Sequence, residues 1–122
     1  MSARDRILIE NLLVRGIVGL NDWERVTKQD IVIHLEILGD LSTAGRSDDV
    51  ADTLNYRTLT KAVIEYVESS EHFLVEALAH EIARIAVTGH GAERVRVRVE
   101  KPGALRFAES VGVEIERERS DF

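Results

Sequence analysis

Alternation of apolar and polar side chains predicts four β-strands along the chain. The clearest covers residues 29–38, where isoleucine or leucine stands at positions 31, 33, 35 and 37, the period-2 pattern of a half-buried strand. Residues 6–14 alternate in the same way, and an irregularity is expected at Glu10 and Asn11. Two later strands are predicted near residues 95–101 and 111–115. The first two strands pair most simply as an antiparallel hairpin.

Between the second and third strands, the spacing of apolar residues is that of two helices. Asn55 can cap the first helix, predicted over about residues 56–67, because its side chain accepts first-turn N–H groups. The second helix is predicted over about residues 73–88, and Gly89 or Gly91 ends it. The order of two strands, two helices and two strands favours an α+β fold, an antiparallel four-stranded sheet with both helices on one face.

The polar connection over residues 39–55 is interpreted as a long loop without regular structure. Its aspartates Asp48, Asp49 and Asp52 have a spacing that matches no calcium-binding loop. We therefore interpret them as turn and cap residues, and no metal site is predicted.

Lys101 ends an alternating strand and precedes Pro102, the only proline in the chain. Proline donates no ladder hydrogen bond and biases the preceding residue toward an extended backbone. The strand should therefore end there, with the Lys101 amine held in one direction. Taken alone, such a lysine is expected to be a solvated surface residue.

The segment that follows the first strand holds a second group of candidates. Gly16 and Gly19 indicate a backbone that turns or lets another group approach closely. Trp23 is expected in the core, with the wall of a pocket as the alternative. Glu24 beside it is by default a solvated loop charge.

The last two strands carry opposite charges on their polar faces. Glutamates at positions 114, 116 and 118 are expected opposite arginines at 94, 96 and 98, which would form a cross-strand charge ladder. A four-stranded sheet of this kind has two open edges, which chains of this size often cover by assembling.

The composition is that of an ordinary globular domain, with 44% hydrophobic and 31% charged residues among 122. This length predicts one domain over residues 1–122. A net charge of −6 argues against a nucleic-acid partner, because phosphate binding needs clustered positive charge. The absence of cysteine excludes disulfides and thiolate chemistry.

No apolar run approaches the ~20 residues that span a bilayer, and no signal-peptide region follows the first residues, so we expect a cytoplasmic protein without a membrane partner.

Four sequence blocks in register resemble the dihydroneopterin aldolase family over nearly the whole chain. They are residues 16–25 with Asp22-Trp23-Glu24, 47–56 (SDDVADTLNY), 73–79 (FLVEALA) and 101–104 (KPGA). The resemblance implies the tunnelling fold, in which copies of the strand-strand-helix-helix-strand-strand unit join into an oligomeric barrel with the helices outside. It also implies a homo-oligomer, a ring of four subunits that commonly stacks into an octamer, with active sites between neighbouring subunits.

The reaction that the resemblance implies is a retro-aldol cleavage in folate biosynthesis. A small-molecule pterin, 7,8-dihydroneopterin, is split into 6-hydroxymethyl-7,8-dihydropterin and glycolaldehyde. Neither a metal, a Schiff base nor any other cofactor is implied, because the imine of the pterin ring accepts the electrons of the broken bond. The protein is left with recognition and proton transfer.

The matching residues take implied roles one by one. Glu76 resembles the pterin anchor, where a carboxylate accepts two parallel hydrogen bonds from the ring, and Val75 would offer its free backbone N–H to a pterin carbonyl. Tyr56, from the neighbouring subunit, positions the side-chain hydroxyls and helps protonate the intermediate. Lys101 resembles the general acid/base, and Glu24, also a catalytic candidate, closes the substrate end of the site. Without the resemblance, Glu76 is a helix-start charge and Tyr56 is half-buried packing.

Part of the sequence is more similar to a sister family, the dihydroneopterin triphosphate 2′-epimerases. The segments concerned are residues 55–58 and 104–110, whereas Asp22-Trp23-Glu24 and residues 112–117 favour the aldolase. A triphosphate would need compensating cations, for which Arg57, Lys61 and Arg106 are the candidates.

A third interpretation is a pterin- or purine-binding assembly module without turnover. Such a module would keep Glu76 but would not need Lys101 and Tyr56 together, and both are present. Zinc-dependent relatives on the same fold use a histidine cluster, and the four histidines of the chain show no such grouping in the sequence.

Overall fold

The computed structural model describes residues 4–122, which form one sheet with two main helices packed on a single face. The strands are β1 (Asp5–Val18), β2 (Gln29–Gly39), β3 (Glu71–His72), β4 (Arg94–Pro102) and β5 (Ser110–Glu118). Their order across the sheet is β3-β1-β2-β4-β5, and every neighbouring pair is antiparallel except β1 and β3. The predicted α+β fold and the predicted β1–β2 hairpin are confirmed.

The sheet has five strands, so the prediction of four is wrong. The additional strand, β3, is two residues from the connection between the main helices, and it pairs with Ile17 and Val18 at the end of β1. Two residues are too few to show an alternating pattern. This short strand brings the chain that leads into the last helix against the end of β1.

The helices are α1 (Ser42–Ser47), α2 (Tyr56–Ser69) and α3 (Val75–Arg84), which continues into a π-helical turn, Ile85–Gly89. α2 begins after Asn55 as predicted, and Asn55 Oδ1 accepts a hydrogen bond from the backbone N–H of Arg57 at 3.0 Å. Among residues 4–122 no helix is long and apolar enough to cross a membrane.

The connection over residues 39–55 contains α1 and a 3₁₀ turn, Val50–Asp52, so the prediction of a loop without regular structure is wrong. Its aspartates are turn and cap residues, as predicted. Asp49 accepts a hydrogen bond from the backbone N–H of Ala51 at 3.0 Å, and Asp52 accepts one from the Ser47 hydroxyl at 2.6 Å. These local hydrogen bonds let a polar segment adopt regular turns without an apolar face.

One apolar layer fills the space between the sheet and the main helices. The sheet contributes Val14, Ile31, Ile33, Leu35, Ile37, Val95, Val97 and Val99. The helices contribute Leu59, Val63, Val67, Leu78 and Ile82. Burying one such side chain contributes roughly 1.5–3 kcal/mol, so this layer fixes α2 and α3 relative to the strands that carry the candidate site.

β1 is irregular where the sequence predicted it. Its pairing with β2 shifts between Ile9 and Leu12, and Asn11 has a positive φ of 56°. The extra residue changes the parity of the strand. Ile7 and Ile9 before the shift, and Leu12 and Val14 after it, therefore all pack on the apolar layer.

The open face of the sheet carries the predicted charge ladder. The register places Arg94 opposite Glu118, Arg96 opposite Glu116 and Arg98 opposite Glu114. Ion pairs form at the first two positions, at 3.1 Å and 2.9 Å. Arg98 instead pairs with Glu100 on its own strand, at 2.7 Å. Exposed pairs of this kind contribute at most about 1 kcal/mol each, so the ladder adds little to stability.

Candidate active site

A buried ion pair joins the end of β4 to the turn after β1. Lys101 Nζ lies 2.6 Å from Glu24 Oε2 and also donates a hydrogen bond to Val18 O at 3.1 Å. Lys101 is 8% exposed and Glu24 is 6% exposed. The lysine is buried because it has the same strand parity as Val99, so its side chain points to the apolar side of the sheet. The expectation that Lys101 and Glu24 are solvated when each is taken alone is wrong.

Several donors hold the Glu24 carboxylate besides the lysine. Asn21 donates to Oε1 through its backbone N–H and through Nδ2, at 3.2 Å and 2.9 Å, and Gln29 Nε2 donates to Oε2 at 3.2 Å. The hydrogen bond from Lys101 lowers the pKa of Glu24 to about 2 against the opposing effect of burial, with help from Gln29 and Asn21. Glu24 is therefore an anion at neutral pH in spite of its burial.

The glycine pair permits two close approaches. Gly19 has a φ of 148°, and a Cβ at this position would overlap the Glu24 carboxylate. A Cβ on Gly16 would lie 2.8 Å from the Val67 carbonyl oxygen, so this glycine lets the end of α2 approach β1. The prediction of close approach at these glycines is confirmed.

Trp23 is 57% exposed, so its expected place in the core is wrong. It lies in the 3₁₀ turn Asp22–Arg25, and in that turn Glu24 is the residue that points inward. The ion pair with Lys101 and the donors from Asn21 and Gln29 hold the glutamate there. The neighbouring tryptophan consequently faces out of the apolar layer.

Gln29 is a site residue that the sequence interpretation missed. Its Nε2 bridges Glu24 Oε2 and Val18 O, at 3.2 Å and 3.1 Å. A signal was present, because Gln29 has the strand parity of Ile31 and the other apolar residues of β2. Gln29 and Lys101 are thus two polar residues at apolar positions of neighbouring strands, and they meet at Glu24.

The start of α3 carries the two residues expected to hold a pterin. Glu76 is exposed in the first turn, and Val75 is partly buried at the first helical position. The N-cap residue, Leu74, has no side chain that could accept first-turn N–H groups. The backbone N–H of Gly19 donates to the His72 carbonyl at 3.2 Å, so this helix start lies beside the segment that carries Glu24.

Tyr56 lies apart from these residues within the chain. It is 59% exposed at the first position of α2, and among residues 4–122 no hydrogen bond joins it to Glu24, Lys101 or Glu76. The other end of α2, at Val67, is the end that contacts β1 near the ion pair. At about 1.5 Å per helical residue, Tyr56 is roughly 16 Å farther along the helix axis. A Tyr56 acting at this ion pair would have to come from another copy of the chain.

Within residues 4–122, no three histidine, aspartate or glutamate side chains are grouped as a metal site requires. In this part of the chain the buried charged side chains are Glu24 and Lys101, and they pair with each other. The chemistry that the residues themselves offer is hydrogen bonding and proton transfer.

Comparisons with known proteins agree with this arrangement. The model of the FolB dihydroneopterin aldolase family matches residues 7–116. The folic acid synthesis protein FOL1 of Dictyostelium discoideum is 47% identical over 93% of the chain, although the match spans only 17% of that relative. A dihydroneopterin triphosphate 2′-epimerase of Pseudomonas aeruginosa is 39% identical over 88% of each chain.

A solved structure of Escherichia coli dihydroneopterin aldolase in complex with neopterin superposes with a TM-score of 0.88 at 39% identity, covering 93% of this chain and 98% of that one. This likeness confirms the tunnelling fold of the single subunit. With the family match over most of its length, the chain belongs to the dihydroneopterin aldolase family.

Proposed function

We propose that the chain cleaves 7,8-dihydroneopterin into 6-hydroxymethyl-7,8-dihydropterin and glycolaldehyde, as a single domain over residues 1–122. The observation that carries this proposal is the buried Lys101–Glu24 pair, 2.6 Å apart, beside a helix start that presents an exposed glutamate. A retro-aldol needs a group that takes a proton from a hydroxyl and later returns one to carbon. The pair supplies an amine in a fixed position for that purpose.

Lys101 is proposed as the general acid/base. Of the three tetrahedral positions of Nζ beyond its bond to carbon, two are used, because Nζ donates to Glu24 Oε2 and to Val18 O. A neutral amine then has its lone pair left, and an ammonium has its third N–H left. The lone pair can accept the substrate hydroxyl proton, and the same position can return it. One atom can thus perform both proton transfers.

The electrons of the reaction stay within the substrate. Removal of the hydroxyl proton forms the aldehyde carbonyl, the carbon–carbon bond breaks, and its electron pair passes into the ring imine. The resulting enamine takes a proton on carbon to give the hydroxymethyl product. Glu24, an anion at neutral pH, would keep the Lys101 amine aimed at the substrate and stabilise its charged form.

Pterin recognition is proposed at the start of α3. The Glu76 carboxylate would accept hydrogen bonds from the ring amino group and the adjacent N–H, and the Val75 backbone N–H would donate to the ring carbonyl. Support comes from the exposure of Glu76 and from the uncapped first turn. The related Escherichia coli enzyme binds neopterin.

The active unit is proposed to be a homo-oligomeric ring of four, alone or stacked as an octamer, in which Tyr56 of one subunit completes the site of the next. Two features support assembly. In the described chain the outer edge of β5 has no partner strand, and the outer edge of β1 is paired only at Ile17 and Val18. Open edges of this kind are normally covered.

A mixing experiment tests this shared site. Tyr56→Phe and Lys101→Ala proteins, each nearly inactive, are unfolded together and reassembled. Independent choice on the two sides of a heterologous interface makes about a quarter of the junctions fully wild type, so about that fraction of activity should return. If mixed rings form and activity stays at the level of the single variants, both residues act within one chain and the proposal is wrong.

Epimerisation of 7,8-dihydroneopterin triphosphate is the second candidate. A groove of about 490 Å³ on α2 is lined by Tyr56, Arg57, Lys61 and Glu65, with Thr60 and Ile64. A triphosphate needs cations such as Arg57 and Lys61. The two candidates are separated by incubating the protein with 7,8-dihydroneopterin and with its triphosphate, and measuring glycolaldehyde and epimer independently. Glycolaldehyde from the unphosphorylated substrate supports the aldolase. Faster conversion of the triphosphate to its epimer, with little glycolaldehyde, would reverse the choice, and binding without turnover would indicate an assembly module.

A further inference from the structure

Arg25 connects the two halves of the candidate site. It is the residue after Glu24 in the 3₁₀ turn, and its guanidinium reaches the segment that leads into α3. Nη1 donates to Gly19 O and to His72 O, each at 3.0 Å, and Nη2 donates to Glu71 O. One planar side chain thus binds carbonyl groups of two segments. One segment is six residues away in the sequence, and the other is 46 to 47 residues away.

The guanidinium also lies against an aromatic ring. Its carbon is 4.0 Å from the centroid of the Phe73 ring, within the range of a cation–π contact. Phe73 is 59% exposed, so the apolar layer does not hold this ring in place. The contact with Arg25 restrains the chain two residues before Val75, the first residue of α3.

The two ends of this connection differ in how firmly they are held. Glu24 and Lys101 have supports of their own in Asn21, Gln29 and Val18 O. The segment 71–73 is paired with β1 over only two residues. His72 has two further ties, a hydrogen bond between its Nε2 and the Tyr66 hydroxyl and the hydrogen bond from the Gly19 N–H to its carbonyl. Loss of the Arg25 side chain should therefore disturb the start of α3 more than the ion pair.

We propose that Arg25 is a positioning residue that sets the location of Val75 and Glu76 relative to the Lys101–Glu24 pair. The inference rests on the proposed function of these residues in pterin binding and proton transfer. A guanidinium suits the task because its rigid fork presents several N–H donors in one plane while its face stacks on a ring. A lysine at this position would keep the charge but could not reach all three carbonyl groups.

Kinetic constants of Arg25→Gln test the proposal. The KM for 7,8-dihydroneopterin and the Kd for neopterin, measured by fluorescence titration, should both rise at least about tenfold, because the pterin anchor is displaced. The kcat at saturation should stay within about threefold, because the ion pair keeps its own supports. Arg25→Lys should be impaired in the same direction, and it replaces Arg25→Gln in the test if the glutamine variant does not fold.

Arg15→Gln is the matched control. Arg15 lies on β1, pairs with Asp30 at 2.5 Å and donates to Lys28 O at 2.9 Å, but these contacts involve no residue of the segment 71–73. Its KM and Kd should equal those of the wild type. A purely structural role for Arg25 would reduce the amount of folded enzyme, and so lower kcat at unchanged KM.

Two results would overturn the inference. One is a lower kcat at unchanged KM in the Arg25 variant, and the other is a KM and a Kd equal to those of the wild type. The outcome is separable from a failure of the proposed function. If the wild type binds neopterin but releases no glycolaldehyde, the aldolase proposal fails while the ratio of the neopterin Kd values still decides the role of Arg25.

Discussion

Glu24→Gln should destabilise the folded chain by about 3–5 kcal/mol, the usual cost of removing one partner of a buried ion pair. The substitution keeps the shape of the side chain and removes only its charge. Lys101 would then remain 8% exposed with no anionic partner, and movement of the amine toward water would require the end of β4 to shift. The loss should therefore be several times larger than that of a surface substitution, which is usually within about 0.5 kcal/mol.

The magnitude follows from two opposing effects. At the 2.6 Å separation of the charged atoms, an effective dielectric constant of about 20 gives an attraction of roughly 6 kcal/mol. The cost of removing both ions from water offsets much of it, so the intact pair contributes far less than this figure. The single variant keeps the cost for Lys101 and loses the attraction, whereas a Glu24→Gln, Lys101→Met double variant loses both. The double variant should regain most of the stability that Glu24→Gln loses.

Urea unfolding followed by tryptophan fluorescence measures these differences, at one fixed protein concentration because the proposed assembly would add to apparent stability. Glu68→Gln, an exposed position on α2, is the control and should change the unfolding free energy by no more than about 0.5 kcal/mol. A loss below about 1 kcal/mol in Glu24→Gln, or a double variant as unstable as the single one, would refute the reasoning.

The same pair predicts a pH dependence of known sign. The pKa of Glu24 is lowered from 4.5 to about 2 in the folded chain, so between these values the unfolded state binds a proton that the folded state does not. The contribution of Glu24 to stability is therefore complete above pH 4.5 and is lost as the pH falls toward 2. In Glu24→Gln this part of the acid sensitivity should be missing.

Three further predictions concern the site. Gly19→Ala should displace the Glu24 carboxylate and lower both stability and activity, measured by urea unfolding and glycolaldehyde release, whereas Gly45→Ala, where a Cβ meets open space, should do neither. Glu76→Gln should weaken neopterin binding by about 1–3 kcal/mol in a fluorescence titration without changing the unfolding midpoint; equal affinity would return Glu76 to the role of a helix-start charge. Activity should survive chelators, and borohydride should trap no lysine adduct detectable by mass spectrometry.

The sequence predicted the layers of the fold because periodicity records which side of each element is apolar. The strands β1, β2, β4 and β5 and the helices α2 and α3 all follow from it, including the irregularity at Asn11. It missed β3, which has only two residues, and α1, whose turns depend on local polar hydrogen bonds and not on an apolar stripe.

The candidate site was predictable in its residues but not in its contacts. Lys101 and Gln29 could be noticed as polar side chains at apolar strand positions, yet nothing local indicates that Glu24, 77 residues from Lys101, is their partner. Because that partner is remote in the sequence, the local pattern predicts Trp23 in the core and Glu24 in solvent. The ties of Arg25 to β3 depend equally on contacts remote in sequence.

The measurement that tests the account most directly is product formation from 7,8-dihydroneopterin by the wild type and by Lys101→Ala, with Lys28→Ala, at an exposed position, as the control. Glycolaldehyde and 6-hydroxymethyl-7,8-dihydropterin are quantified together, and neopterin affinity is measured for each protein. The wild type and Lys28→Ala should release the two products in equal amounts, while Lys101→Ala should still bind neopterin and lose at least about a hundredfold in rate, the lower range of general acid/base catalysis. Product release by Lys101→Ala at the wild-type rate would contradict the account.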